Sequence, residues 1–223
     1  MKTPRKFYTE LTSKGLAKRK SEIDTKKELI DLKKKLNKNK TILDLGCGYG
    51  RLTIPLAKEG YKIEGIDITP SFIKQAIKNA KKLKLDIKFR IGDIRKLPHK
   101  KESFDIVICM WSVFLELTKI NDQISALKEI SRILNHNGLA IIEMAPSKKF
   151  YVIKDDEIGD LRKLNEKTRL VTGKISGITA MPHYFHNNKT LKSILTKAKI
   201  KNFKINEELF GGRNRLILQF WKG

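Results

Sequence analysis

From Thr41 onward, short apolar runs alternate with segments of helical period, and this alternation constrains the fold more than any other feature of the chain. Strands that alternate with helices are typical of βαβ units, in which parallel strands form one sheet between two layers of helices. The predicted strands are Thr41–Leu45, Lys62–Asp67, Ile87–Ile91, Phe104–Met110 and Leu139–Met144, and the predicted helices between them are Arg51–Glu59, Ser71–Leu83 and Asn121–Leu134. The pattern predicts a doubly wound α/β sheet.

The segments on either side of this pattern are less regular. Thr25-Lys26-Lys27-Glu28 fits a capping box and predicts a helix over Thr25–Asn37, and Phe7, Tyr8 and Leu11 predict a short amphipathic turn before it. Residues 147–187 carry no long apolar period, although Arg169–Thr172 and Ile175–Met181 fit a small hairpin around Gly173. The last predicted elements are a helix over Asn188–Lys199 and strands over Asn202–Glu208 and Arg215–Trp221.

We therefore expect one domain, because 223 residues can bury one α/β core with a modest addition. Its predicted parts are a helical lid over 1–40, a ligand-binding core over 41–146, a lid insertion over 147–187 and a C-terminal helix with strands over 188–223. The chain carries neither a secretory signal nor an apolar run long enough to span a membrane, which predicts a cytoplasmic protein without membrane contact. Cys47 and Cys109 lie in unrelated segments and predict neither a disulfide nor a metal site.

The strongest ligand signal is a glycine loop, Gly46-Cys47-Gly48-Tyr49-Gly50, which directly follows the first predicted strand. Glycine lets a backbone approach a ligand closely, and doubly wound sheets bind nucleotides at the carboxyl ends of their strands. The dinucleotide fingerprint G-x-G-x-x-G would place its third glycine at position 51, which is Arg51. The loop therefore fits a nucleotide ligand but not the pyrophosphate of a dinucleotide.

Two acidic residues follow the next two strands. Asp67 ends the second strand, where a carboxylate can accept hydrogen bonds from both hydroxyls of a ribose and repels a ribose phosphate. Asp93 follows the third strand and is placed to accept a hydrogen bond from an adenine amino group. Because all three features lie at the same edge of the predicted sheet, they predict one adenosine site.

The segments ILDLGCGYGRL, GIDIT, IGDIRKLP, FDIVICMWSVFLEL and LNHNGLAIIEMA resemble the ordered motifs of class I S-adenosylmethionine-dependent methyltransferases, over positions 41–145. The resemblance implies a seven-stranded, mostly parallel Rossmann-like sheet with an antiparallel last strand. It also implies S-adenosylmethionine as cofactor and S-adenosylhomocysteine as product. The cofactor-binding residues that it implies are Asp44, Gly46, Cys47, Gly48 and Gly50 around the methionine, Asp67 and Ile68 at the ribose and adenine, Asp93 and Ile94 at the adenine edge, and Met110 and Trp111 near the methionyl group.

The flanking segments are similar to small-molecule members of that family. Phe7-Tyr8 resembles their N-terminal lid, which makes Tyr8 a predicted substrate contact. Glu116 is a second predicted substrate contact. His183, Tyr184 and His186 are the candidate catalytic residues, because histidine is the side chain best suited to accept a proton near neutral pH.

The net charge of +24 leaves the acceptor open. A basic surface attracts polyanions, so an RNA acceptor such as tRNA is an alternative to a small molecule. Lysines spread along the whole chain also fit a general compositional bias. A third alternative is a non-catalytic module that binds the cofactor, and the sequence gives no indication of oligomeric state.

Overall fold

A computed structural model of the chain describes residues 3–18, 22–146, 152–155, 160–165, 167–175 and 178–223. The helices are α1 (Pro4–Lys18), α2 (Glu22–Lys33), α3 (Thr53–Lys58), α4 (Pro70–Lys82), α5 (Ile120–Ile133) and α6 (Asn188–Lys197), and a 3₁₀ turn covers Val113–Glu116. The strands are β1 (Thr41–Leu45), β2 (Lys62–Asp67), β3 (Phe89–Ile91), β4 (Phe104–Cys109), β5 (Leu134–Met144), β6 (Val152–Asp155), β7 (Asp160–Asn165), β8 (Leu170–Ile175), β9 (Ile178–Thr179), β10 (His183–Tyr184), β11 (Phe203–Phe210) and β12 (Arg213–Trp221).

Seven strands form the main sheet in the order β11-β12-β5-β4-β1-β2-β3. Strands β1 to β5 are mutually parallel, whereas β12 runs antiparallel to both of its neighbours, β5 and β11. The predicted doubly wound, mostly parallel sheet with an antiparallel last strand is confirmed. The order of strands reverses beside β1, and this reversal opens the crevice in which such sheets bind ligands.

Both faces of the sheet are buried, which explains the nearly continuous apolar composition of the strands. Leu43 and Leu45 of β1 pack into the core that contains the buried residues of α5 and α6, including Leu127 and Leu191. Ile42 points to the opposite face and packs with residues of α2 and α3. Alternate residues of one strand therefore hold the two helical layers.

The hairpin β11–β12 fastens one edge of the sheet to α2. The carboxylate of Asp31 accepts the backbone N–H of Gly211 at 3.0 Å, and Arg213 forms an ion pair with Asp24 at 3.1 Å. Inside the sheet, Arg215 of β12 pairs with Glu143 of β5, and both residues are buried. A buried ion pair is costly to break from one side, so β12 is held to β5 by more than its backbone ladder.

The segment after β5 forms a second, smaller sheet in the order β10-β8-β7-β6, with β9 paired to β8. The predicted hairpin around Gly173 is wrong in register, because Gly173 lies inside β8 opposite Arg162 of β7. Strands β6 and β7 were not predicted. The sequences of these strands, VIKD and DLRKLN, show no period-two alternation of apolar and polar residues, so no strand pattern marked them.

The predicted start of α2 is also wrong. The helix begins at Glu22, before the capping box, and Thr25 and Glu28 instead bond the guanidinium of Arg51. Hydrogen bonds to Arg51 therefore engage the two side chains that the sequence pattern assigned to the helix cap. Among the described residues, no helix has the length and apolarity needed to cross a membrane.

Candidate active site

A cavity of about 450 Å³ lies at the carboxyl ends of β1 to β4. Its floor comes from the loops after these four strands, and its opposite wall comes from α1, α4 and residues 181–182. Of the residues predicted to bind cofactor or substrate, those that line the cavity are Tyr8, Asp44, Gly46, Cys47, Gly48, Asp67, Ile68, Asp93, Ile94, Met110, Trp111 and Glu116. The structure thus brings residues from positions 8 to 116 around one space.

The glycine loop turns sharply after β1. The backbone N–H groups of Gly46 and Cys47 both donate to the carbonyl of Ile66, at 2.8 and 3.1 Å, which ties the loop to β2. Gly46 has a φ of +72°, and a Cβ there would lie 2.6 Å from Val113 Cγ2. Only glycine fits this backbone at this distance from its neighbour. Gly50 lies outside the lining, and its missing Cβ makes room for Ile54 instead.

Asp67 joins the loops that follow β1 and β2. One carboxylate oxygen accepts the N–H of Thr69 at 2.8 Å and the other accepts the N–H of Gly48 at 2.9 Å. Burial raises the pKa of Asp67, and these two backbone hydrogen bonds oppose the shift. Each oxygen keeps a further lone pair, so the carboxylate can accept two more hydrogen bonds.

Asp44 lies at the end of β1 and is almost fully buried. Burial raises its pKa to about 6, against the hydrogen bond from Thr53 Oγ1 at 2.7 Å and the positive charge of Arg51. A carboxyl group of this kind is sensitive to a nearby cation, because a positive charge in the cavity lowers the cost of ionising it.

Asp93 is held by a cation, which the sequence did not predict. Its two oxygens lie 2.6 to 3.0 Å from guanidinium nitrogens of Arg95, and Arg95 also bonds Asp122 at 3.0 Å. These contacts lower the pKa of Asp93 against the effect of its burial. The carboxylate is therefore fixed in an ionised, hydrogen-bond-accepting form.

The turn after β4 places an aromatic side chain in the cavity wall. Trp111 and Ser112 adopt left-handed backbone conformations, with φ of 53° and 62°. Ser112 is held there because its N–H donates to Glu143 O and its Oγ accepts the N–H of Ala145. The guanidinium of Arg51 lies 5.2 Å from the centre of the Trp111 ring and bonds Glu28 at 2.6 Å. Arg51 therefore links α2 to the cavity wall.

The two predicted substrate contacts meet in the folded chain. Tyr8 Oη donates a hydrogen bond of 2.5 Å to Glu116 Oε1, across 108 positions of sequence. The Tyr8 ring packs against Phe7 and Phe72, with ring centres 5.1 and 5.5 Å apart. Burial raises the pKa of Glu116 to about 8; the hydrogen bond from Tyr8 opposes this shift and the charge of Asp67 adds to it.

The structure does not bring His183, Tyr184 and His186 into the cavity lining. His186 is 1% exposed; its Nδ1 lies 3.1 Å from Thr190 Oγ1, and its ring packs on Tyr184 and Phe114. Burial lowers the pKa of His186 to about 3, so this imidazole is neutral at physiological pH. The short strand β10 carries His183 and Tyr184 onto the second sheet, and from there it is Met181 and Pro182 that reach the cavity.

Several cavity residues were missed from the sequence, namely Arg5, Tyr49, Arg51, Phe72, Arg95, Lys119 and Asp122. Arg51 had a usable signal, because it stands directly after the glycine loop. The two cysteines are free and buried, and among the described residues no group of three His, Cys, Asp or Glu side chains is placed to hold a metal ion.

Comparison with known proteins identifies the fold and the family. A family model described as a methyltransferase domain matches residues 36–203. The chain belongs to this methyltransferase family. Its structure is similar to that of an S-adenosylmethionine-dependent methyltransferase from Clostridium acetobutylicum, with a TM-score of 0.68 and 16% identity over 98% of each chain. It is also similar to an amino pentose methyltransferase from Micromonospora echinaspora solved with S-adenosylmethionine bound, with a TM-score of 0.68 and 16% identity over 91% of this chain and 93% of that one.

A curated relative is the ubiquinone biosynthesis O-methyltransferase of Pelagibacter ubique, which is 36% identical over 105 residues. The match covers 47% of this chain and 42% of that protein, so the methyltransferase chain spans less than half the length of this relative. The family and the fold confirm the resemblance to class I S-adenosylmethionine-dependent methyltransferases, whose cofactor is S-adenosylmethionine.

Proposed function

We propose that this methyltransferase transfers a methyl group from S-adenosylmethionine to a small molecule that binds in the same cavity. The observation that supports it is the convergence of the strand-end residues of β1 to β4 on one cavity that α1 covers from the other side. A volume of about 450 Å³ lies in the range of small-molecule sites.

The residues that line the cavity are chemically suited to bind the cofactor. Gly46 lies in the cavity lining, where a Cβ would meet Val113, so the loop can pass this point only with glycine. The free lone pairs of Asp67 suit a ribose diol, and its buried negative charge repels a phosphate at that place. We assign to the cofactor Asp44, Gly46, Cys47 and Gly48 on the methionine side, Asp67 and Ile68 at the ribose, Asp93 and Ile94 at the adenine, and Met110 and Trp111 toward the methyl group.

When bound, a sulfonium cofactor supplies a methyl group that is already activated, so the protein contributes alignment and the exclusion of water. Tyr8, Phe72, Trp111 and Met181 form an apolar wall of the cavity, and two of them, Tyr8 and Met181, come from outside the βαβ core. We infer that α1 and residues 181–182 cover the acceptor as lids. This assigns the predicted lid role to residues 3–18 and 181–182.

The surface charge does not favour RNA as the acceptor. Exposed lysines occur on α4, as Lys74 and Lys78, and on α6, as Lys189 and Lys192. Helix α4 lies beside α3 and α6 beside α5, so these lysines are on opposite faces of the sheet. The cavity itself is lined by five carboxylates and four basic side chains, which is no basic channel for a phosphate backbone.

Calorimetric titration with S-adenosylmethionine tests the cofactor part of the proposal, with Asp67→Ala as the weakened variant and Glu22→Gln, on the exposed side of α2, as the control. The acceptor part is tested by incubation with methyl-labelled cofactor and separate metabolite and tRNA fractions. We expect label in the metabolite fraction. Label confined to tRNA would contradict a small-molecule acceptor, and binding without any transfer would favour a non-catalytic module.

A further inference from the structure

The carboxylates that line the cavity differ in what compensates their charge. Asp93 and Asp122 share the guanidinium of Arg95, and Asp67 accepts two backbone N–H groups. Asp44 accepts from Thr53 and is stabilised by the charge of Arg51. Glu116 has one hydrogen bond, from Tyr8, and within the described chain it forms no ion pair. Of the five cavity carboxyl groups, Glu116 is therefore the one that has neither a nearby cation nor a backbone N–H donor within the described chain.

The apolar surroundings of Glu116 raise the free energy of its ionised form when no cation lies beside it. The residue ends the 3₁₀ turn, whose preceding residues Phe114 and Leu115 are fully buried and fix the turn against the core. Its hydrogen-bond donor, Tyr8, is itself packed among aromatic rings. A carboxylate in such an apolar wall is stabilised strongly by a cation and only weakly by a neutral partner.

The pKa of Glu116 also suits a group that gives up and takes up a proton near neutral pH. Its pKa is about 8, and a group of this kind is suited to general acid–base work. The other titratable and charged groups that line the same cavity are Arg5, Tyr8, Asp44, Cys47, Tyr49, Arg51, Asp67, Asp93, Arg95, Lys119 and Asp122. Among them, Tyr8 lowers the pKa of Glu116 and Asp67 raises it.

We propose that Tyr8 and Glu116 form the acceptor subsite and that the acceptor is an amine, whose ammonium proton Glu116 takes before the nitrogen is methylated. This inference rests on the proposed function. An ammonium group supplies the charge that the Glu116 site lacks. Once Glu116 is ionised it would repel a carboxylate or phenolate acceptor, and a neutral hydroxyl would leave the charge of the ionised group uncompensated.

In the proposed step the acceptor nitrogen loses a proton and gains a methyl group. A proton passes from the ammonium nitrogen to a Glu116 carboxylate oxygen, which frees the lone pair of the nitrogen. That lone pair forms the new bond to the methyl carbon of the proposed cofactor, the carbon–sulfur bond breaks, and its electron pair stays on sulfur. The products are a methylated ammonium, a neutral thioether and a protonated Glu116, which releases its proton to water when the cavity opens.

Three probes that share one ring scaffold test the acceptor class. They are 4-methoxyphenethylamine with an amine alone, N-acetyltyramine with a phenol alone, and 4-methoxyphenylacetate with a carboxylate alone. Each is titrated calorimetrically into protein saturated with S-adenosylhomocysteine. We expect the amine to bind and the other two to bind at least tenfold more weakly. Failure of the amine to bind, or preference for either of the others, overturns the inference.

Glu116→Gln keeps the shape of the side chain and removes its charge, so it should weaken amine binding at least tenfold and change S-adenosylmethionine affinity less than twofold. Glu22→Gln is the matched control for an exposed glutamate. If Glu116→Gln weakens cofactor binding instead, the carboxylate serves the cofactor and the inference is wrong. Wild-type protein that binds no S-adenosylmethionine would refute the proposed function itself. Circular dichroism establishes that the variant is folded.

The pH profile separates proton transfer from simple binding. With 4-methoxyphenethylamine as acceptor, kcat/KM should rise with pH through about 8 as Glu116 ionises. Tyr8→Phe keeps the ring packing and removes the hydrogen bond that lowers this pKa, so the rise should move to higher pH. Glu116→Gln should abolish the rise. A profile that is the same in all three proteins overturns the proton-transfer role.

Discussion

The buried pair between Arg51 and Glu28 gives a sharp test of how α2 is joined to the cavity wall. The two side chains are 10% and 4% exposed, and their atoms lie 2.6 Å apart. Arg51→Met removes the cation that lies beside the buried carboxylate of Glu28. Breaking a buried pair from one side costs about 3–5 kcal/mol of unfolding free energy. The loss of the Trp111 contact adds about 0.5–1 kcal/mol.

The double variant Arg51→Met/Glu28→Met removes both charges and keeps apolar volume, so it should be markedly more stable than Arg51→Met. We expect a coupling free energy of about 2–4 kcal/mol from the double-mutant cycle. Urea unfolding followed by far-ultraviolet circular dichroism measures it. The exposed pair Lys26–Glu22, with side chains 70% and 83% exposed, is the control and should couple by less than about 0.5 kcal/mol. Additive losses at Arg51 and Glu28 would refute the reasoning.

Substitutions at Gly46, Asp67 and His186 test the glycine loop, the ribose assignment and the buried imidazole. Gly46→Ala forces a Cβ against Val113 in a left-handed backbone and should lower the free energy of unfolding, measured in urea, by about 2–5 kcal/mol. The control is Gly60→Ala, which has open space around it and should lose only the backbone contribution of about 1–2 kcal/mol. Asp67→Asn cannot accept both backbone N–H groups, so S-adenosylmethionine affinity measured by calorimetry should fall at least tenfold; an unchanged affinity would contradict the ribose assignment. Burial lowers the pKa of His186 from 6.5 to about 3, so between these pH values the unfolded chain binds a proton that the folded chain does not, and the fold loses stability as the pH falls. The urea midpoint should therefore fall less steeply from pH 7 to pH 5 in His186→Gln than in the wild type. Equal slopes in the two proteins would contradict this assignment.

The sequence was informative where the signal is local. The strand ends at Asp44, Asp67 and Asp93 could be located because a buried parallel strand has an apolar run that stops where the ligand loop begins. The pairing of Tyr8 with Glu116 could not be located in this way, although each was suspected separately. Their contact depends on how α1 crosses the sheet, and no local pattern encodes a contact over 108 positions.

The same distinction explains the errors. Thr25 and Glu28 have the spacing of a capping box, but Arg51 takes both side chains in the folded chain. His183 and His186 attracted attention as histidines beside aromatic residues, which is equally the composition of a turn that packs into a core. Their placement follows from the pairing of β10 with β8, and two-residue strands give no periodicity from which to predict it.

The antiparallel hairpin at the edge of the main sheet comes last in the chain, so β5 is synthesised well before β12, which pairs with it. Until β12 has left the ribosome, β5 has an unpaired edge that carries Ile141, Ile142 and Met144, all fully buried in the finished fold. An apolar strand with a free edge is a template for pairing with other chains. We therefore expect the nascent methyltransferase to be prone to aggregation until β12 pairs with β5, after which the ion pair of Arg215 with Glu143 helps to hold that edge closed.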